Sequence, residues 1–262
     1  MSEAYDIVLG TRGKSRPVAS DYIAHMIEGF HEMHGDRHFG DDPSVIAGVG
    51  RLGGMPITVI GVEKGKDTTD KIRRNFGSAH PEGYRKALRQ MKQAEKFRRP
   101  VLCLVDTAGA FCGLDAEARG QAAAIAGNLA EMMTLRTPIL TVIIGEGGSG
   151  GAIGLAVSDE VWMPEGAYYS VVSPESCANI LWKDAGRAAD AAEALHLTAA
   201  DLLELSVIER ILPEPNPADM EGSMAALAAC IGEKLTALLA LNDEALLAAR
   251  YEKFRKIGRI PS

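Results

Sequence analysis

The chain has 262 residues, of which 47% are hydrophobic and 24% charged, with a formal net charge of −7. That length can bury a full core as one large domain or two small ones, and the composition is that of an ordinary globular protein. The acidic balance argues against a nucleic-acid binder, and no uninterrupted apolar run approaches the roughly 20 residues that span a bilayer.

Residues 1–18 are polar, lack clear periodicity and are expected to form a solvated tail. Met1–Ile7 holds two acids and no basic n-region, so no secretory signal is expected and the location inferred is cytoplasmic. Gly10-Thr-Arg-Gly-Lys-Ser15 ends like a phosphate loop but is two residues short of Gly-x4-Gly-Lys-Ser, and Pro17 follows where a helix should run. From Ser20 a helix is predicted, with Tyr22, Ile23, Met26, Ile27 and Phe30 on one face and Gly35 ending it. His31, His34 and His38 suggest a metal, but Gly35 breaks their register and no carboxylate or cysteine completes a set, so none is expected. Val45–Leu52 and Pro56–Val62, on either side of Gly53-Gly54, predict a β-hairpin. Lys64–Arg74 reads as a basic loop, either merely solvated or a lip that attracts phosphate-bearing ligands through Lys64, Lys66 and Arg73.

Pro81–Phe97 has helical spacing, Val101–Val105 is a buried strand running into the glycine-rich loop Asp106–Gly113, and Glu117–Leu135 is a long helix. A second buried strand, Pro138–Ile144, runs into Gly145–Ala152. The recurring strand, glycine loop and helix predict an α/β protein with its loops gathered at one end of a sheet. Val161–Met163 and Tyr168–Val172 read as short strands, a helix begins at Ser173-Pro174, and the chain after Pro217 is helical to about Lys256. The simplest organisation is the tail 1–18 and a single domain over 19–256, with a helical annex at about 218–256. Cys103, Cys112, Cys177 and Cys230 form no Cys-x-x-Cys pair, which excludes a zinc ribbon.

Gly145-Glu-Gly-Gly-Ser-Gly-Gly-Ala152 places five glycines in seven residues between a strand and a small-residue helix. Bare amides at a helix start suit an anionic oxygen, because they converge and the helix dipole adds positive charge. The same residues fit Gly-x-Ser-x-Gly, a hydrolase elbow with Ser149 as nucleophile, although His196 is then the one downstream histidine. A third reading gives the glycines only a close helix–strand contact.

The stretches His34–Asp42, Arg73-Arg-Asn-Phe-Gly77, Pro81–Arg89, Gly145–Ala152, Tyr169–Glu175 and Ile180-Leu-Trp-Lys-Asp184, in this order, resemble the α subunits of the bacterial acetyl-CoA carboxylase carboxyltransferase. They span about Arg16 to Pro213. The resemblance implies a crotonase-like fold, a spiral of ββα units whose loops supply amide oxyanion holes. It implies a β subunit that binds acetyl-CoA and carries the zinc ribbon, usually in an α2β2 assembly. Carboxybiotin on the biotin carboxyl carrier protein is then the carboxyl donor, acetyl-CoA the acceptor and malonyl-CoA the product, the building block of fatty-acid synthesis. Carried onto this chain, the N–H groups of Gly150 and Gly151, with Gly147, Gly148 or Ala152 beside them, hold the biotin oxygen. Lys64, Lys66 and Arg73 become phosphate or carrier-protein contacts, and Gly151→Val should cost carboxyl transfer heavily while leaving the fold and assembly. The chain departs from the family at Ala108, Phe111 and Cys112, where the pattern has Pro, Tyr and Pro, and an extended N-terminal helical region is nearly missing. A stand-alone acyl-CoA decarboxylase or hydratase is the enzymatic alternative, the latter pairing Glu146 with Glu175; a non-catalytic scaffold is the other.

Overall fold

Residues 3–13 and 16–258 are described by a computed structural model of the chain. Its elements, in order, are α1 (Glu3–Thr11), α2 (Ala19–Met26), β1 (Glu28–Glu32), β2 (Val45–Leu52), β3 (Met55–Val62), α3 (Thr68–Arg73), α4 (Pro81–Lys96) and β4 (Val101–Thr107). There follow α5 (Leu114–Ala118), α6 (Gln121–Thr134), β5 (Ile139–Gly148), α7 (Ser149–Ile153), β6 (Glu160–Pro164), β7 (Tyr168–Ser170), α8 (Pro174–Trp182) and α9 (Ala188–Leu195). The chain ends with α10 (Ala199–Glu204), β8 (Arg210–Leu212), α11 (Met220–Leu239) and α12 (Asp243–Lys256).

Alternation along the central strands decides the layering. In β4, Val101, Cys103 and Val105 face one core while Leu102 and Leu104 face another, and β5 divides Ile139 and Ile143 from Leu140, Val142 and Ile144 in the same way. A strand buried on both faces needs a helical layer on each side. Tyr84, Ala87 and Met91 of α4 and Met132 of α6 cover one face, and Tyr22 and Ile23 of α2 with Ile231 and Leu235 of α11 cover the other. The sheet runs β1-β2-β3-β4-β5-β6-β8, with β7 pairing the end of β5. The predicted hairpin is present and antiparallel; from β3 to β8 all pairs are parallel.

Three expectations are corrected. The helix begun near Ser20 stops at Met26, because Glu28–Glu32 pairs with β2 as an edge strand. Residues 1–18 are not simply a tail: Ala4 and Val8, one turn apart, bury against Tyr168, Ala192 and Leu197. Lys14 and Ser15 of the phosphate-loop look-alike lie outside the described residues. The third concerns α11, which at 20 residues is long and apolar enough to cross a membrane by length and composition. Met224, Ile231 and Leu235 of this helix pack into the core, and Lys234 pairs with Glu160 at 2.7 Å. The annex is anchored by Arg250, whose buried guanidinium meets Asp159 and the carbonyls of Met132, Leu135 and Thr137 at 2.6–3.0 Å.

Candidate active site

Two parallel neighbours, β4 and β5, carry both glycine loops at the same end of the sheet. Val105 pairs with Ile143 but Thr107 pairs with Gly147, so two residues of β4 span four of β5. This bulge re-aims the end of β5. The strand therefore outlasts the sequence expectation, holding Gly145–Gly148, and the helix follows at once as Ser149–Ile153.

The glycines of this segment have different reasons for being glycine. A Cβ on Gly148 would stand 2.1 Å from the Ala108 carbonyl oxygen, and one on Gly151 would stand 2.6 Å from the Ala110 nitrogen. Gly150 alone has room, its nearest neighbour being Ile125 Cδ1 at 3.7 Å. Gly147 sits within the sheet, paired with Thr107 on one side and Tyr169 on the other. Gly150 is half-buried and Gly151, like Ala152, is buried. Gly150 and Gly151 lie in the first turn of α7, where N–H groups have no intrahelical partner.

The close approach of Gly151 to Ala110 adds a donor that the sequence reading passed over. The Ala110 N–H meets no acceptor among the described residues, whereas the flanking Gly109 and Phe111 N–H groups bond to Thr107 Oγ1 and the Ala79 carbonyl at 3.1 and 3.0 Å. Alanine carries no chemistry in its side chain, so only packing could reveal it. Gln121 fixes this loop by donating to the Phe111 and Ala79 carbonyls at 3.0 and 2.8 Å. Tyr84 donates to the Gly151 carbonyl at 3.3 Å and Asn128 to the Gly154 carbonyl at 3.0 Å, which fixes α7. Beside Ser149 and Gly150 opens a cleft of about 560 Å³, walled by Ile153, Tyr169, Val171, Leu202 and Phe254.

Beneath the two loops lies a buried ionic cluster. Asp106 Oδ1 accepts the Glu146 N–H at 2.8 Å and the Lys64 ammonium at 2.8 Å. Glu146 also pairs with Lys64, receives the Tyr168 hydroxyl at 2.9 Å and meets Arg12 at 3.0 Å. Burial alone would raise the Glu146 carboxyl, but the Lys64 charge and hydrogen bonds from Lys64, Arg12 and Tyr168 hold it below the usual carboxylate range. The same pairing outweighs burial at Lys64 and raises its ammonium. Lys64 is thus an internal counter-ion as well as part of a cleft wall. Lys66 is exposed and paired with Asp21; Arg73 is exposed and meets Asp70 at 2.7 Å. Lys64 and Lys66 line a second cleft, of about 470 Å³, with Asp106, Ala108 and Glu146, whereas Arg73 does not border it.

The rival chemistries lose their parts. No histidine is hydrogen-bonded to Ser149 among the described residues, and His196 faces Asp201 at 3.6 Å. Glu146 and Glu175 are both clamped by Arg12, the latter at 2.7 Å, and Glu175 is likewise held below the usual range, burial being outweighed by Arg12. No group of three or more His, Cys, Asp or Glu suited to a metal ion occurs among the described residues.

A parallel sheet that sets a helix N-terminus against a neighbouring loop amide defines an α/β protein with a crotonase-like fold. In agreement, the chain superposes on transcarboxylase 12S with methylmalonyl-coenzyme A bound at a TM-score of 0.67 and 18% identity, over 87% of this chain and 44% of that one. It superposes on a Pseudomonas malonate decarboxylase hetero-tetramer in complex with coenzyme A at 0.66 and 18% identity, over 81% and 86%. The chain belongs to the acetyl co-enzyme A carboxylase carboxyltransferase-like family, whose model matches residues 3–258. It is 53% identical to the acetyl-coenzyme A carboxylase carboxyl transferase subunit alpha of Ruminiclostridium cellulolyticum over 98% of both chains. To the subunit of that name in Bacillus cytotoxicus it is 51% identical, over 98% of this chain and 81% of the relative.

Proposed function

We propose that this chain is the α subunit of an acetyl-CoA carboxylase carboxyltransferase, active with a separate β subunit in an α2β2 assembly. The end-to-end correspondence with the α-subunit relatives carries this reading. Carboxybiotin, borne by the biotin carboxyl carrier protein, supplies the carboxyl group, and acetyl-CoA, held by the β subunit, receives it to give malonyl-CoA. The residues present fit such a donor: an unbonded Ala110 N–H lies beside the first turn of α7, next to a cleft with apolar walls.

In this reading the Gly150 and Gly151 amides, joined by that of Ala110, hold the oxygen on which negative charge grows as the carboxyl group departs. Gly147, Gly148 and Ala152 shape the turn rather than donate. One donor of this kind is worth about 2.7–4 kcal/mol in the transition state. The apolar walls exclude water, which strengthens these contacts. The Lys64–Asp106–Glu146 cluster keeps the two loops in register, so the donors are placed before the substrate arrives.

The test is reconstitution: the purified chain is mixed with a β subunit and carboxylated carrier, and malonyl-CoA is measured. Formation is expected only on mixing. Acyl-CoA turnover by the chain alone, or none in the mixture, would reject the reading.

A further inference from the structure

The peptide group that joins Gly109 to Ala110 is held at its carbonyl end and, among the described residues, unbonded at its N–H end. Thr107, buried at the end of β4, donates its hydroxyl proton to the Gly109 carbonyl oxygen at 2.9 Å. The hydroxyl oxygen in turn accepts the Gly109 N–H at 3.1 Å, so both of its bonds fall on one residue. The Gly109 carbonyl and the Ala110 N–H belong to one planar trans unit and point in opposite directions. Whatever aims the carbonyl therefore aims the N–H.

The turn after β5 packs against this same unit. A Cβ on Gly151 would stand 2.6 Å from the Ala110 nitrogen and 2.7 Å from the Gly109 carbonyl carbon, the two atoms of the peptide bond. A Cβ built on Gly109 would meet nothing within 4 Å, so no packing at that point holds the unit. The other tethers of the loop act further along. Gln121 and the Ala79 carbonyl hold Phe111 through its carbonyl and its N–H, and the Phe111 ring stacks on His80 with centroids 4.0 Å apart. These contacts fix the peptide groups on either side of Phe111, and none touches the group that carries the Ala110 N–H. A hydrogen bond at an amide carbonyl also draws electron density from the nitrogen, which strengthens the N–H as a donor by about 10–30%.

We propose that Thr107 is a positioning residue for carboxyl transfer: its hydroxyl aims and polarises the peptide whose N–H, that of Ala110, holds the anionic oxygen. The proposal rests on the carboxyltransferase reading and deepens it, because catalysis then depends on one side chain of the donor loop. No proton or other atom passes through the hydroxyl. A threonine that merely closes the strand contributes stability and leaves turnover alone, so the two roles separate by measurement.

The test uses the assembled α and β subunits with carboxylated carrier and acetyl-CoA. Thr107→Val keeps the shape and loses the hydroxyl; it should lower kcat about tenfold, the scale of one hydrogen bond, with KM for acetyl-CoA unchanged. Thr107→Ser keeps the hydroxyl and should bring kcat back to within about twofold of wild type. Thr137→Val removes a comparable hydroxyl, which donates to the Arg99 carbonyl at 2.7 Å beyond the opposite end of β5, and should lose stability without losing kcat. Where an ester replaces the Ala110 amide, Thr107→Val should cost no more than about twofold further, because the hydroxyl acts through that N–H. A second readout needs no turnover. With carbon-13 at glycine carbonyls and nitrogen-15 at alanine, the Gly109–Ala110, Gly151–Ala152 and Gly166–Ala167 peptides alone give one-bond signals. The Ala110 nitrogen should shift in Thr107→Val and return in Thr107→Ser. A kcat within about twofold of wild type in Thr107→Val, Thr107→Ser no better than Thr107→Val, a further tenfold loss in the ester chain or an undisturbed Ala110 nitrogen would each overturn the proposal. A shifted nitrogen in a protein whose unaltered assembly forms no malonyl-CoA would instead sink the functional reading and leave the hold of Thr107 on this peptide standing.

Discussion

The two glycine-bearing loops sit on neighbouring strands and meet at Ala110 and Gly151, yet they are held in opposite ways. The turn after β5 is held by what it lacks: Gly148 and Gly151 let the Ala108 and Ala110 backbone approach to distances no side chain permits. The loop after β4 is held by what surrounds it, through Gln121, the Ala79 carbonyl and the Asp106–Lys64 pair. One is packed and the other is tethered. The difference implies that side-chain substitutions loosen the loop after β4 gradually, whereas the turn after β5 fails sterically or not at all.

The largest expected effect comes from the shared footing. Lys64→Met removes the counter-ion that buried Asp106 and Glu146 share and leaves Asp106 unpaired, a change worth about 3–5 kcal/mol of stability. Its pH dependence is diagnostic. In the wild type the Glu146 carboxyl is held low, so its contribution is present above the unfolded value of about 4.3 and is lost as pH falls through the lower folded value. Without the ammonium the Glu146 carboxyl keeps only its Arg12 and Tyr168 hydrogen bonds against burial, so the variant should lose less stability than the wild type as pH falls below about 4.3. Denaturant midpoints at several pH values from about 3 to 6 distinguish the two slopes, and parallel curves would show that Lys64 does not neutralise the cluster.

The donor assignment is tested next, without touching any side chain. Replacing the Ala110 amide with an ester removes one N–H and should lower kcat about 10²–10³-fold, or about 2.7–4 kcal/mol. Unaltered melting with that loss would identify a transition-state contact; unaltered kcat would remove Ala110 from the set. Gly151→Val, attractive from sequence, is a poorer probe, because its side chain would drive into the Ala110 nitrogen and displace the very donor in question.

A smaller effect is expected where the first loop is tethered. Gln121→Leu removes two hydrogen bonds, but the Ala79 carbonyl keeps the Phe111 N–H at 3.0 Å, and the buried Gln121 Oε1 has no partner to lose. Stability should fall by about 1–2 kcal/mol. If tethering is what aligns Ala110, kcat should fall with it while binding of acetyl-CoA by the β subunit stays constant.

The fold was legible wherever side chains announced themselves. The Val45–Val62 hairpin, the α4 face and the two buried strands follow directly from period and turn residues. The misreadings have physical causes. Glu-Gly-Phe-His-Glu is a strand only because β2 offers an edge, a tertiary preference that no local pattern encodes. The α1 stripe is only Ala4 and Val8, too short to register as periodicity. At the site, the glycine run exposed the β5 turn, while Lys64 looked like a surface cation because its two carboxylates lie 42 and 82 positions away along the chain. Ala110 had no sequence signal at all.

The gentlest substitution sharpens the contrast furthest. Gly150 is the one nest glycine with room for a methyl group, Ile125 being 3.7 Å away, and it lies within α7. Gly150→Ala keeps the N–H and trades a flexible helical residue for a better helix former, so stability should rise by up to about 1 kcal/mol. Gly148→Ala, two residues earlier, meets the Ala108 carbonyl oxygen at 2.1 Å and should be strongly destabilised. Thermal melts of the pair measure how abruptly the turn changes from packed to open. Equal losses at both positions would mean that the space beside Gly150 is already filled, and the opening there would then be too tight to receive an anionic oxygen.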